Sequence, residues 1–161
     1  MNQRGLAEGV LIYTADGSII SRTPIERLAQ TGEQPQILAY DTKKRRIVKV
    51  AAQHPRLTGE VEVVEVLLSN LRKIRCTPEY KVLTTVGYAE ARDLKEGDKI
   101  VSPSAGTGVS DQFMLTAFST GHVMVAGDPI PAGRARVFHV ATDAHNLVCE
   151  GVVVSADEEA Q

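Results

Sequence analysis

The sequence predicts an all-β protein, and three features carry that expectation. Apolar runs are short and stop at turn-forming pairs, helical spacing never extends beyond single turns, and one strand–turn–helix unit occurs twice. Val10 to Thr14 forms the first clear strand, ended by Asp16-Gly17. Pro24 to Leu28 fits one helical turn, with Thr23 as N-cap and proline at the first helical position. Ile37 to Tyr40 and Ile47 to Ala51 flank Asp41-Thr42-Lys43-Lys44-Arg45-Arg46, a hairpin with a charged, solvated tip. Val61 to Leu68 alternates valines with glutamates, Ser69-Asn70 turns the chain, and Leu71 to Cys76 returns with Arg72, Lys73 and Arg75. Opposite charges on those two strands favour their pairing by about 0.2–1 kcal/mol per pair. Ala89 to Leu94 is another single helical turn. Val137 to Thr142 and Leu147 to Val154 are the last two strands.

The repeated unit starts at Val10-Leu11 and runs through Asp16-Gly17 and Ile25-Glu26-Arg27-Leu28 to Gly32. Its counterpart starts at Val82-Leu83 and runs through Val86-Gly87 and Ala91-Arg92-Asp93-Leu94 to Gly97. Such a duplication implies a pseudo-two-fold β body. The stretch 102–136 differs: Ser-Pro-Ser-Ala-Gly-Thr-Gly opens it, Gly-Asp-Pro-Ile-Pro-Ala-Gly-Arg closes it, and it reads as an inserted loop, partly ordered around Phe113 to Phe118 and His122 to Ala126. Residues 157–161 read as an acidic, frayed tail.

The chain length of 161 residues fits one domain, expected to span 5–156. With no Trp and 4 % aromatic residues, Val, Ile and Leu must fill the core. A net charge of −2 supplies no field for nucleic acid, so none is expected as a partner, and the Lys43 to Arg46 cluster lacks the aromatics of a strand-binding surface. No apolar run spans a bilayer and no signal peptide is evident, so a cytoplasmic monomer without membrane contact is expected. Cys76 and Cys149 have no metal-ligand spacing; two buried thiols are the favoured reading, a disulfide the other, and no metal or other cofactor is expected.

Four segments carry a resemblance: Gly-Leu-Ala-Glu-Gly-Val-Leu-Ile from Gly5, Cys76-Thr77-Pro78-Glu79-Tyr80, Val137-Phe138-His139 followed by His145-Asn146-Leu147, and the closing Gly151-Val152-Val153-Val154-Ser155-Ala156. In order and character they resemble the motifs of Hint (hedgehog/intein) domains, in inteins or bacterial intein-like proteins. Leu94-Lys95-Glu96-Gly97-Asp98-Lys99-Ile100 is similar to the segment that follows the family's middle motif. The resemblance implies a Hint-type horseshoe of two pseudo-two-fold-related β subdomains, with short helical turns and an insertion, lying in cis within a flanking host polypeptide. It also implies cofactor-free chemistry. A first Cys or Ser attacks the preceding peptide bond, a middle Thr and His hold and protonate that bond, and a terminal Asn, helped by the preceding His, cyclises to cut the chain.

Carried over residue by residue, the pattern is depleted. The nucleophile position is Gly5, which has no side chain to form an ester. Thr77 keeps the middle Thr, but the His position holds Tyr80, whose phenol titrates far above neutrality. The late motif's Asp position is His139. Ser155 and Ala156 replace the closing His-Asn, and Ala156 cannot cyclise. The resemblance thus implies a degenerate Hint domain, related to splicing and self-cleavage but without them, kept as a structural or interaction module. Three alternatives stand beside it: an active domain using Cys76, Thr77 or Ser155; an intein inactivated by engineering; and a β domain whose 102–136 loop binds a partner. Thr77 is otherwise a structural hydroxyl at a strand end, Cys149 a packing residue, and His145-Asn146 a turn cap.

Overall fold

A computed structural model describes residues 4–17, 19–31, 34–103 and 120–156. In chain order the elements are β1 (Leu6–Ala7), β2 (Leu11–Asp16), β3 (Ile19–Pro24), α1 (Ile25–Thr31), β4 (Gln36–Asp41), β5 (Arg46–Ala51), β6 (Gln53–Leu67), β7 (Lys73–Cys76), β8 (Lys81–Thr84), β9 (Gly87–Glu90), a 3₁₀ turn (Ala91–Asp93), β10 (Lys99–Pro103), β11 (Thr120–Met124), β12 (Ile130–Ala141), β13 (Asn146–Cys149) and β14 (Val152–Ser155). The all-β expectation holds, and every strand pairing is antiparallel.

The pseudo-two-fold is visible in strand order. One sheet runs β11-β10-β8-β14-β13-β2-β4-β5, with β9 added to β8 and β3 to β2. The β13–β14 hairpin lies at its centre. On one side β2 hairpins to β3, α1 follows, and β4 returns to pair with β2; on the other β8 hairpins to β9, the 3₁₀ turn follows, and β10 returns to pair with β8. The two units recognised as a sequence repeat occupy these corresponding places, although Gly32 itself lies outside the described residues. A second assembly, a closed barrel of β1, β12, β6 and β7, carries the N-terminal entry of the chain. Register shifts along β12 and β6, between Pro131 and Arg134, Val137 and Phe138, and His139 and Ala141, supply the extra twist that closure requires.

Apolar side chains fill both faces of the central sheet. Leu6, Ile12, Ile25, Ile37, Val66, Ile74, Ile100 and Leu147 form the main core, and Tyr13, Leu38, Tyr40, Val148 and Val153 a second one on the opposite face. β13 and β14 are buried throughout, which is why they read as one continuous apolar run. The expected single strand from Leu147 to Val154 is in fact this hairpin. Glu150 (φ 49°) and Gly151 (φ 83°) turn the chain between Cys149 and its partner Val152, as a primed two-residue turn requires.

Other expectations shift as well. The helix begins at Ile25, and Thr23 and Pro24 finish β3 instead of capping it. The hydroxyl of Thr23 meets that of Thr14 across the β2–β3 hairpin, and Ile25 N–H donates to Val10 O at 2.9 Å. The second helical turn is shorter than Ala89 to Leu94, since Ala89 and Glu90 belong to β9. Of the expected loop at 102–136, residues 104–119, with Phe113 to Phe118, lie outside the described residues, and the flanking parts are strands. Ser102 and Pro103 end β10, β11 pairs with β10, and Ile130 to Arg136 form part of the barrel strand β12. Pro and Gly at 103, 131 and 133 sit at a strand end and in a register shift, so their turn signal was misleading. The acidic run 157–161 also lies outside the described residues. Among the described residues no helix is long and apolar enough to cross a membrane.

Candidate functional site

The N-terminal entry is clamped between two strands. Leu6 pairs with Phe138 of β12 on one side and Cys76 of β7 on the other. One residue earlier, Gly5 and Thr77 are bonded reciprocally. Gly5 N–H donates to Thr77 Oγ1 at 3.2 Å, and Thr77 N–H donates to Gly5 O at 3.1 Å. The carbonyl of Arg4 accepts from Thr58 Oγ1 at 3.1 Å, an oxygen that also lies 3.1 Å from Val137 O. Both polar groups of the Arg4–Gly5 peptide bond are therefore held by threonine hydroxyls. The Thr77 hydroxyl thus binds main chain just beyond the end of β7. Thr58 has no sequence signal, because β6 reads as a strand only from Val61 onward and the residue lies beside a register shift.

Gly5 is required by close packing. A Cβ added there would meet the main chain of Phe138, with O at 2.6 Å, N at 2.9 Å and C at 3.0 Å. These are backbone atoms of a barrel strand that cannot rotate aside. The space a first-residue side chain would occupy is filled.

The second half of the site lies across a tight turn. Tyr80 N–H donates to Thr77 O at 3.0 Å, and Ala91 N–H donates to Tyr80 O at 2.8 Å. The Tyr80 hydroxyl donates to Ser155 O, tying the middle segment to the closing strand. Burial pushes this phenol well above its usual value, and nearby Cys149, Cys76 and Tyr88 act in the same direction. Ala156 N–H donates to His145 O at 2.9 Å, fixing the end of β14 against the β12–β13 turn. His139 is buried on β12 in register with Arg56. Gly5 and Thr77 thus meet directly, as do Tyr80 and Ser155, and the 77–80 turn joins the two pairs.

One neighbouring group differs in role from the sequence reading. Asn146 does not cap its own turn. Its amide bonds both main-chain groups of Tyr40, accepting from N–H at 2.8 Å and donating to C=O at 2.9 Å, and so stitches β13 to β4. The turn is held by Thr142, whose hydroxyl donates to Asn146 O at 2.7 Å. Cys76 and Cys149 are both free and buried. Burial, with a smaller contribution from Glu79, pushes the Cys76 thiol up to about 12. Burial raises Cys149 as well, helped by Glu150 and Cys76. Among the described residues no group of three His, Cys, Asp or Glu side chains is placed to hold a metal ion.

Solved structures supply the comparison for this architecture. A G-1F mutant of a Ssp DnaB mini-intein variant superposes with a TM-score of 0.80 over 96 % of this chain and 99 % of its own, at 20 % identity. The DnaB intein from Synechocystis sp. PCC 6803 gives 0.77 over 95 % and 99 %, at 21 % identity. A bacterial intein-like domain from Clostridium thermocellum gives 0.70 over 95 % and 98 %, at 16 % identity. The chain has the Hint fold. No protein-family model and no curated protein sequence matches it.

Within this Hint body Gly5 lies against Thr77 and Phe138, and Tyr80 against Ser155. Gly5 offers no nucleophile and no room for one. Thr77 offers a hydroxyl that is accepting from Gly5 N–H. Tyr80 offers a phenol committed to Ser155 O, and Ala156 offers no amide. The arrangement holds the Arg4–Gly5 peptide bond through the hydroxyls of Thr77 and Thr58.

Proposed function

We propose that this domain is an intein-like Hint domain that has lost splicing and self-cleavage and serves as a structural or interaction module within a flanking host polypeptide. The observation that carries the reading is the contact between Gly5 and Phe138, since it removes both the nucleophile and the space for its side chain. Three further features support it: a buried Tyr80 engaged with Ser155 O, Ala156 at the closing position, and a Thr77–Thr58 pair that holds the Arg4–Gly5 bond without a partner group to cleave it. Cys76 is a poor substitute nucleophile. Burial pushes its thiol up to about 12, so it stays protonated at pH 7. The module acts as a monomer without nucleic acid or cofactor, and its two free thiols suit a reducing, cytoplasmic setting.

The test is to express the chain between two well-folded tags and weigh the products, with and without added thiol. The proposal expects intact precursor in both samples. A ligated tag product, or thiol-dependent release of the upstream tag, would refute it.

A further inference from the structure

The β4–β5 hairpin carries a charge pattern that the site at the chain entry does not use. Lys43, Lys44, Arg45, Arg46 and Lys49 stand against one acid, Asp41, in a chain whose net charge is −2. All five cations are exposed. Lys43, Lys44 and Arg46 make no salt bridge among the described residues. Asp41 is committed to the turn, one carboxylate oxygen accepting from Lys43 N–H and Lys44 N–H at 3.0 Å. β5 is also the last strand of its sheet. It pairs with β4 alone, so its outer edge lacks a strand partner among the described residues, and none of its residues is fully buried. A cleft of about 450 Å³ opens beside it, lined by Val48 and Val50 of β5 and by Asp143, Ala144 and His145 of the β12–β13 turn. Val48 and Val50 are two residues apart, so they share one face of the strand. Asp143 is engaged as well, accepting from Gln53 Nε2 at 2.8 Å.

We propose that the outer edge of β5 takes up an extended acidic peptide of a partner protein as an added strand. Its alternate apolar side chains enter the cleft beside Val48 and Val50, and its carboxylates meet Lys49 and the cations of the hairpin tip. Strand addition draws affinity from main-chain hydrogen bonds and selectivity from pockets for alternate side chains. The edge supplies the first and the cleft the second. Charge selects the occupant. Lysine on an edge strand guards against pairing with like strands, and a second copy laid along β5 would bring two sets of the same cations together. An acidic strand turns that repulsion into attraction. The inference gives the interaction module proposed above its partner and rests on that reading. Its readout is binding, whereas loss of splicing and self-cleavage is judged by the mass of the tagged precursor.

The experiment is fluorescence anisotropy on the full chain with a short fluorescein-labelled peptide of alternating glutamate and valine. Saturable binding is expected. Combining Lys43→Glu, Arg46→Glu and Lys49→Glu, all at exposed positions, is expected to weaken it by about tenfold or more. N-methylating the peptide at every residue keeps its charge and removes its main-chain donors, and is expected to weaken binding by about as much. Hydrogen exchange of the complex should slow in β5. Absence of binding, equal binding of the N-methylated peptide, or protection confined to another strand overturns the proposal. So does an oligothymidylate that binds as tightly as the peptide, which would make the cations a nucleic-acid contact. Dimerisation that protects β5 without any peptide overturns it too, by making the second copy the occupant.

Discussion

At the scale of single residues, the site is defined by what its atoms are already doing. Gly5 is a packing residue: its missing Cβ lets the chain entry lie against the Phe138 main chain. Gly5→Ala is therefore expected to destabilise the fold by about 1–3 kcal/mol, the usual range for overpacking against atoms that cannot move aside. Urea unfolding measures this, and an unchanged midpoint would show that β1 shifts freely. The thiols make a second residue-scale statement. Cys76 holds its proton in the folded state up to about pH 12, whereas the unfolded thiol loses it near its ordinary value of 9.0. The unfolded chain then binds fewer protons, so stability is fully present below about pH 9 and is lost as pH rises toward 12. Cys149 and Tyr80 shift in the same direction and add to the loss. The folded protein is also expected to resist thiol reagents at pH 8 and to label at both cysteines once denatured. Rapid native labelling of Cys76 would contradict its burial.

At the scale of elements, the sequence was most legible where one face of a strand meets water. The β4–β5 hairpin with its charged tip, and the β6–β7 pairing with Glu65 and Arg75 in contact at 2.9 Å, follow directly from alternation and charge. It was least legible where strands are buried on both faces. The run from Leu147 to Val154 shows no alternation, and the turn at Glu150-Gly151 hides inside it. That turn is fastened by tertiary contacts with no local signature. Glu150 accepts from Leu11 N–H at 2.9 Å and lies 3.3 Å from Arg72 Nη1, and Asn70 donates to Glu150 O at 3.2 Å. The Asn146 bonds to Tyr40 are equally non-local. Asn146→Ala leaves the Tyr40 N–H and C=O buried without that partner, so a loss of about 1–3 kcal/mol is expected. Hydrogen exchange should rise locally in β4 and β13; unchanged exchange there would argue against the stitch.

At the scale of the whole molecule, the duplicated strand–turn–helix unit proved the most informative sequence feature, because its copies take corresponding places around the β13–β14 hairpin. The barrel of β1, β12, β6 and β7 was harder to foresee. Its closure depends on register shifts, and the Pro and Gly residues of β12 suggested a loop. For the candidate site, the resemblance singled out Gly5, Thr77, Tyr80, Ser155 and Ala156, and the fold brings Gly5 to Thr77 and Tyr80 to Ser155. Thr58 and the Phe138 contact were not legible in the sequence, since both arise only when strands distant in sequence pack together. That contact turns a list of missing side chains into a statement about space. The most direct measurement is the mass of a tag-flanked precursor carrying Gly5→Cys, incubated with and without thiol. The account predicts intact precursor in both, because the Phe138 main chain occupies the position the new side chain needs. Thiol-dependent release of the upstream tag would contradict it, by showing that the Hint scaffold still admits and activates a nucleophile there.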